Sequence, residues 1–137
     1  MILLDTNALL WLAESDPRLG STARKTIAQA AKTAKILVSA VSFWEIGLLV
    51  SKGRITLLEP LSRWADAVVA RTDIMVIPVD AAIAIEAGLL PGELHGDPGD
   101  RFMIATGRLL RTPLLTSDRK ILAYAKAGHV EAIDARL

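Results

Sequence analysis

Ile2-Leu3-Leu4-Asp5-Thr6-Asn7 starts with three successive apolar residues and then turns polar in a single step. A strand with one wet face alternates apolar and polar side chains, so an unbroken apolar run implies a strand covered on both faces. Asp5 or Thr6 is placed to cap a short helix carrying Leu9, Leu10 and Trp11, which Asp16-Pro17 then breaks.

The same pattern recurs along the chain. Ile36-Leu37-Val38, Ile74 to Val79 and Leu114-Leu115-Thr116 read as further buried strands, with a weak fifth at Val130 to Ile133. Helical stripes separate them. Ala23, Ile27, Ala30 and Ala34 form one. Ser42 opens a second, through Ile46, Leu49 and Val50 to a stop near Gly53. Leu61, Trp64, Ala65, Val68 and Val69 form a third, and Asp80 caps a fourth that ends at Gly88. Ser117-Asp118 starts a last helix ending near Gly128. Apolar strands alternating with helices predict an α/β fold: one domain over residues 1–137, a parallel sheet with helices on both faces.

Composition narrows the function classes. Of 137 residues 52% are hydrophobic, and the mean hydropathy is +0.39, so part of the apolar surface belongs to a core or a protein interface. The net charge of +1 gives no bulk attraction for nucleic acid, leaving only local basic patches to serve one. The absence of cysteine excludes disulfides and thiolate metal sites. No apolar run approaches the ~18 residues that span a bilayer. The first apolar run has no basic flank, so a cytoplasmic protein without a membrane role is the expectation.

The polar chemistry concentrates in His95-Gly96-Asp97-Pro98-Gly99-Asp100-Arg101. Asp97-Pro98 reads as the N-cap and first residue of a helix, because proline's missing N–H costs nothing there. Asp100 then falls at the third helical position. Ligands of parallel sheets sit beyond the carboxyl ends of the strands, where strand order reverses. If strand four returns beside strand one, Asp5 and Asp118 flank that point, and Glu45 and Asp100 lean in from the starts of two helices. Asp80 would lie two strands away, roughly 10 Å at ~4.8 Å per strand, and reads as a helix cap.

Each acid alone has a structural explanation: Ser42-x-x-Glu45 matches a capping box, and Asp5 and Asp118 are plausible caps. Four on one edge would repel, and a hard divalent cation relieves that repulsion. Oxygen-only ligands suit Mg²⁺ or Mn²⁺.

These residues also resemble a known family. Asp5-Thr6-Asn7 after an N-terminal strand is similar to the opening of PIN-domain ribonucleases. Phe43-Trp44-Glu45-Ile46, the segment from His95 to Thr106, and Leu115-Thr116-Ser117-Asp118 look like the later motifs of VapC-type toxins. The resemblance implies a PIN-like three-layer sandwich with a parallel sheet of about five strands in the order 3-2-1-4-5. It implies a Mg²⁺- or Mn²⁺-dependent endoribonuclease that acts as the toxin of a toxin–antitoxin pair, neutralised by a small cognate antitoxin and commonly homodimeric.

Carried over by position, the catalytic and metal-binding set is Asp5, Glu45 (directly or through water), Asp100 and Asp118. Asp97 is read mainly as a cap with a water-mediated metal role. Thr6, Asn7, Thr116 and Ser117 would orient ligands or substrate. Arg101, Lys52, Arg54, Arg119 and Lys120 would contact RNA phosphates.

Three other readings compete. An aspartate-based phosphohydrolase or phosphoacceptor would use Asp5 as nucleophile, but typically needs a second acid where this chain has Asn7. A catalytically inert PIN-like binding module would show no saturable metal binding. A metal-independent ribonuclease would need histidines of suitable pKa. His95 reads as a loop residue near the site and His129 as a solvated loop residue. Trp11, Trp44 and Trp64 lie on apolar stripes and are expected in the core, with an antitoxin or dimer groove as the alternative.

Overall fold

Side chains divide across the central strand of the sheet as the apolar run requires. In this computed structural model, which describes residues 1–94 and 96–137, Ile2 and Leu4 enter one core cluster and Leu3 enters another. The expectation for His95 falls outside the described residues.

The elements run β1 (Ile2–Leu4), α1 (Thr6–Ala13), α2 (Ser21–Ala31), β2 (Ile36–Ser39), α3 (Ala40–Ser51), α4 (Leu61–Val69), β3 (Ile74–Ile77), α5 (Ala81–Gly88), α6 (Pro98–Leu110), β4 (Leu114–Thr116), α7 (Arg119–Lys126) and β5 (Ala132–Asp134). The strands pair in parallel in the order β3-β2-β1-β4-β5. This is the α/β sandwich expected from the sequence pattern and the 3-2-1-4-5 order that the family resemblance implies. The three inner strands are buried throughout, whereas β3 and β5 at the edges are partly open.

One face of the sheet packs against α1, α2 and α4 through Leu9, Trp11, Ile27, Trp64 and Val68. The other packs against α6 and α7 through Met103, Ile104, Ile121 and Tyr124. The chain builds outward from β1 to β3 and then returns to β4, so the strand order reverses between β1 and β4. Leu4 pairs with Leu115 there, and the Asp5 amide donates to the Leu115 carbonyl at 2.9 Å.

The structure corrects several local expectations. Helix α3 begins at Ala40 rather than Ser42, because Ser39 at the end of β2 caps it through the Val41 amide (3.1 Å). The capping box between Ser42 and Glu45 therefore does not exist. Helix α2 stops at Ala31, and Ala34 takes a left-handed φ of 53°. Strand β5 lies at Ala132–Asp134, later than expected, since Leu114 pairs with Ala132. Trp11 and Trp64 are in the core, but Trp44 is 50% exposed. His129 is half-buried rather than fully solvated, its ring 4.7 Å from that of Tyr124.

Residues 135–137 dock against the start of α2. The Gly20 amide donates to the Ala135 carbonyl at 2.9 Å, and the Ala23 amide donates to the Leu137 carbonyl at 2.8 Å. A Cβ at residue 20 would lie 2.2 Å from the Leu137 carbonyl oxygen, a backbone atom that has no rotamer to escape through. Gly20→Ala is therefore expected to cost about 1–3 kcal/mol by overpacking. The check is the midpoint of urea unfolding, and an unchanged midpoint would mean that these residues do not hold this position in solution.

Candidate active site

Four helices carry the candidate acids at the carboxyl edge of the sheet or over it, and three of these start with an aspartate in extended conformation. Asp5 caps α1, Asp97 caps α6 and Asp118 caps α7. The fourth, α3, is capped by Ser39 and carries Glu45 in its second turn. Helix N-termini favour negative charge, so the backbone itself makes this edge tolerant of acids.

Local hydrogen bonds fix the carboxyls of Asp5, Asp97, Asp118 and Glu45. Asp5, 8% exposed, accepts from the Thr6 amide (2.8 Å) on one oxygen and from the Thr116 hydroxyl (2.6 Å) on the other. The Thr116 oxygen in turn accepts from the Asp118 amide at 3.0 Å, joining the ends of β1 and β4. Asp118 uses a single oxygen, Oδ1, to cap the amides of Lys120 (2.8 Å) and Ile121 (3.2 Å). Asp97 Oδ1 accepts from the Asp100 amide at 3.1 Å, while Pro98 occupies the first helical position.

Thr6 has one hydroxyl hydrogen and two oxygen neighbours, Glu45 Oε1 at 2.7 Å and Ser42 Oγ at 3.0 Å. The carboxylate takes that hydrogen as the stronger acceptor, so the fully buried Ser42 donates to Thr6. The sequence pattern alone makes Ser42 a cap and gives no view of this chain from Ser42 through Thr6 to Glu45. Its one local signal is that Ser42 and Glu45, three residues apart, share one helical face.

The acids converge. One carboxylate oxygen each from Glu45, Asp97 and Asp100 lies within 4.8 Å of the others. Asp5 and Asp118 are near enough to act on them electrostatically. Burial, then repulsion from Asp97, Asp118, Asp5 and Glu45, pushes the Asp100 carboxyl from the ordinary 3.8 up to about 7. Burial also raises Asp5 and Glu45, against the lowering effect of their hydrogen bonds from Thr116 and Thr6. Among the described residues, every ion pair lies elsewhere: Arg18–Asp16, Arg71–Asp73, Arg108–Glu86 and Arg136–Asp134. A crowded, partly desolvated set of hard oxygen donors without a cationic partner fits a hard divalent cation.

The other candidate residues are placed less uniformly. Ser117 is buried, its carbonyl accepting from Arg136 at 2.8 Å. Asn7 is exposed and lines a hollow of about 400 Å³ with Trp11, Arg18 and Arg54. Arg101 pairs with none of the acids: its Nε donates to the Ala87 carbonyl at 2.9 Å, tying α6 to α5. Lys52, Arg54, Arg119 and Lys120 are exposed, the last two in the first turn of α7 beside Asp118. Asp80, two strands from β1, caps α5 through the Ile83 amide at 2.9 Å.

Known proteins resemble this chain in sequence and fold. The chain is 28% identical over 123 residues to "Ribonuclease VapC22" of Mycobacterium tuberculosis, covering 90% of this chain and 91% of that one. Among solved structures, VapBC2 from Rickettsia felis, crystallised bound to a DNA fragment from its promoter, matches with a TM-score of 0.70 at 18% identity, covering 97% of this chain and 98% of that one. FitAcB from Neisseria gonorrhoeae matches with a TM-score of 0.66 at 17% identity, covering 98% of each chain. At those identities the structural likeness is one of fold. The family model for the PIN domain matches residues 2–127, from the start of β1 to just past α7, and so takes in all the acids gathered at the sheet edge. The chain belongs to the PIN domain family.

Proposed function

We propose that this protein is a metal-dependent endoribonuclease, the toxin of a toxin–antitoxin pair, with Asp5, Glu45, Asp100 and Asp118 as its catalytic acids. One observation carries the reading: five carboxyls share the sheet edge at the β1–β4 switch point with no arginine or lysine paired to them among the described residues. Membership of the PIN domain family and the ribonuclease relative support it.

Glu45, Asp97, Asp100, Asp5 and Asp118 would hold Mg²⁺ or Mn²⁺. When bound, the cation supplies Lewis-acid stabilisation of phosphate charge and an activated water at neutral pH. The chain's own residues prepare the rest. Thr6 and Thr116 hold the carboxylates of Glu45 and Asp5 in fixed orientation before substrate arrives, so little reorganisation is left for the reaction. Asp97 combines capping with a place in the acid cluster, since Oδ1 serves the Asp100 amide and the carboxyl still meets Glu45 and Asp100.

Lys52, Arg54, Arg119 and Lys120 are free to contact RNA phosphates around the acidic centre. Arg101 is a weaker phosphate ligand, because its guanidinium already serves Ala87. In-line attack by water leaves a 5′-phosphate and a 3′-hydroxyl. The exposed Trp44 and Leu48, four residues apart on α3, give a small cognate antitoxin or a second copy of the chain an apolar surface beside Glu45.

The test is purified protein on total RNA with Mg²⁺, with Mn²⁺ and with EDTA. Cleavage in either metal, lost in EDTA and leaving 5′-phosphate ends, is the expected result. Undiminished cleavage in EDTA would overturn the metal-dependent reading.

A further inference from the structure

Gly99 is the second residue of α6, between the proline that starts the helix and Asp100. Nothing in the backbone asks for glycine there: the residue is helical, and the positive-φ glycines of the described chain are Gly53, Gly92 and Gly128. Glycine is the poorest helix former after proline, so its presence calls for another reason. The residue is buried, and what covers it is the Glu45 carboxylate. A Cβ at residue 99 would lie 2.7 Å from both Cδ and Oε2 of Glu45 and 3.2 Å from Oε1. On its other side Glu45 is held by the Thr6 hydroxyl at 2.7 Å.

We propose that Gly99 is a positioning residue for Glu45: the bare α-carbon leaves the space in which the carboxylate sits among the metal-binding acids. The inference rests on the metal-site reading and deepens it. The Glu45 carboxylate is the far end of a flexible, half-buried side chain, so a methyl group at position 99 displaces it without disrupting the core. The displaced carboxylate leaves Asp97 and Asp100 and loses its bond from Thr6. Metal binding is then weakened by a change that the helix itself favours.

The experiment measures Mn²⁺ affinity and melting temperature for wild type, Gly99→Ala, Glu45→Ala and the double variant. Gly99→Ala is expected to bind Mn²⁺ at least about tenfold more weakly, the range seen when the groups supporting a metal ligand are removed. Its metal-free melting temperature should be unchanged or higher. In the Glu45→Ala background the extra methyl group should cost nothing, because the side chain it displaces is gone.

Wild-type affinity in Gly99→Ala, with weak binding in Glu45→Ala, would overturn the role of Gly99 and leave the metal site standing. Equal losses from Gly99→Ala in both backgrounds would overturn it too, placing the effect in the helix. Wild-type affinity in Glu45→Ala would overturn the metal role of Glu45 and the inference with it.

Discussion

Asp100→Asn is expected to abolish RNA cleavage and, at the same time, to make the metal-free protein more stable. Asp100 sits in the first turn of α6, partly buried and facing four other carboxyls, which holds its carboxyl at about 7 instead of 3.8. A proton is thus bound more tightly in the folded chain than in the unfolded one. Between pH ~4 and 7 the folded protein keeps a proton that the unfolded chain has released, so stability falls as pH rises through this window. Above pH 7 the full penalty of the charged form applies. Asparagine has the same shape and carries no charge, and so removes the penalty.

Solvent screening of a partly exposed carboxyl leaves a gain of about 1–2 kcal/mol, a few degrees in melting temperature for a chain of this size. The gain should be largest at pH 8 and should shrink toward pH 5. Added Mg²⁺ or Mn²⁺ should stabilise wild type at pH 8 by binding the folded state, and Asp100→Asn much less. Cleavage should fall by ~1000-fold, the scale of removing one preorganised electrostatic group. Thermal melts across pH, beside RNA cleavage, check both halves. A variant less stable than wild type at pH 8 would show that the carboxyl is not under repulsion.

Asp5→Asn should be as damaging to cleavage and yet nearly neutral in stability. Burial raises the Asp5 carboxyl, as it does that of Asp100, but here both oxygens are engaged, by the Thr6 amide and the Thr116 hydroxyl. An asparagine amide keeps an acceptor for only one of them. Its NH₂ group meets the other donor, and that bond is lost or turned around. The lost hydrogen bond, about 1 kcal/mol, offsets the relief from burying a charge. Replacing a carboxylate at the reacting centre should cost ~1000-fold in cleavage rate, the scale of removing one preorganised electrostatic group. Single-turnover cleavage in saturating Mn²⁺ is the measurement, and a loss below tenfold would remove Asp5 from the catalytic set. The contrast is informative: Asp100 is held under repulsion, while Asp5 is held by hydrogen bonds.

Much of the fold was legible because its cause is local. Unbroken apolar runs at 2–4, 36–38 and 114–115 specify strands covered on both faces, and Asp97-Pro98 specifies a helix start that places Asp100 in the first turn. The strand order came from the family resemblance, not from periodicity. The sequence misled where two local signals competed. Ser39 and Ser42 are both competent caps, and only the end of β2 decided for Ser39. Trp44 shares its helix with buried apolar residues but faces outward, a direction that periodicity over one short helix does not resolve.

For the site, the sequence by itself determined which acids end strands or start helices, because capping is a property of neighbouring residues. Only the tertiary structure decided which of them meet, since that depends on β4 returning beside β1 and on α6 crossing α3. It also decided what holds them: a hydroxyl from one strand end on a carboxylate from another, and a bare α-carbon opposite Glu45. Such contacts join residues 39, 54 and 111 positions apart, beyond the reach of any local pattern, and exist only once burial of the apolar strands has fixed the sheet.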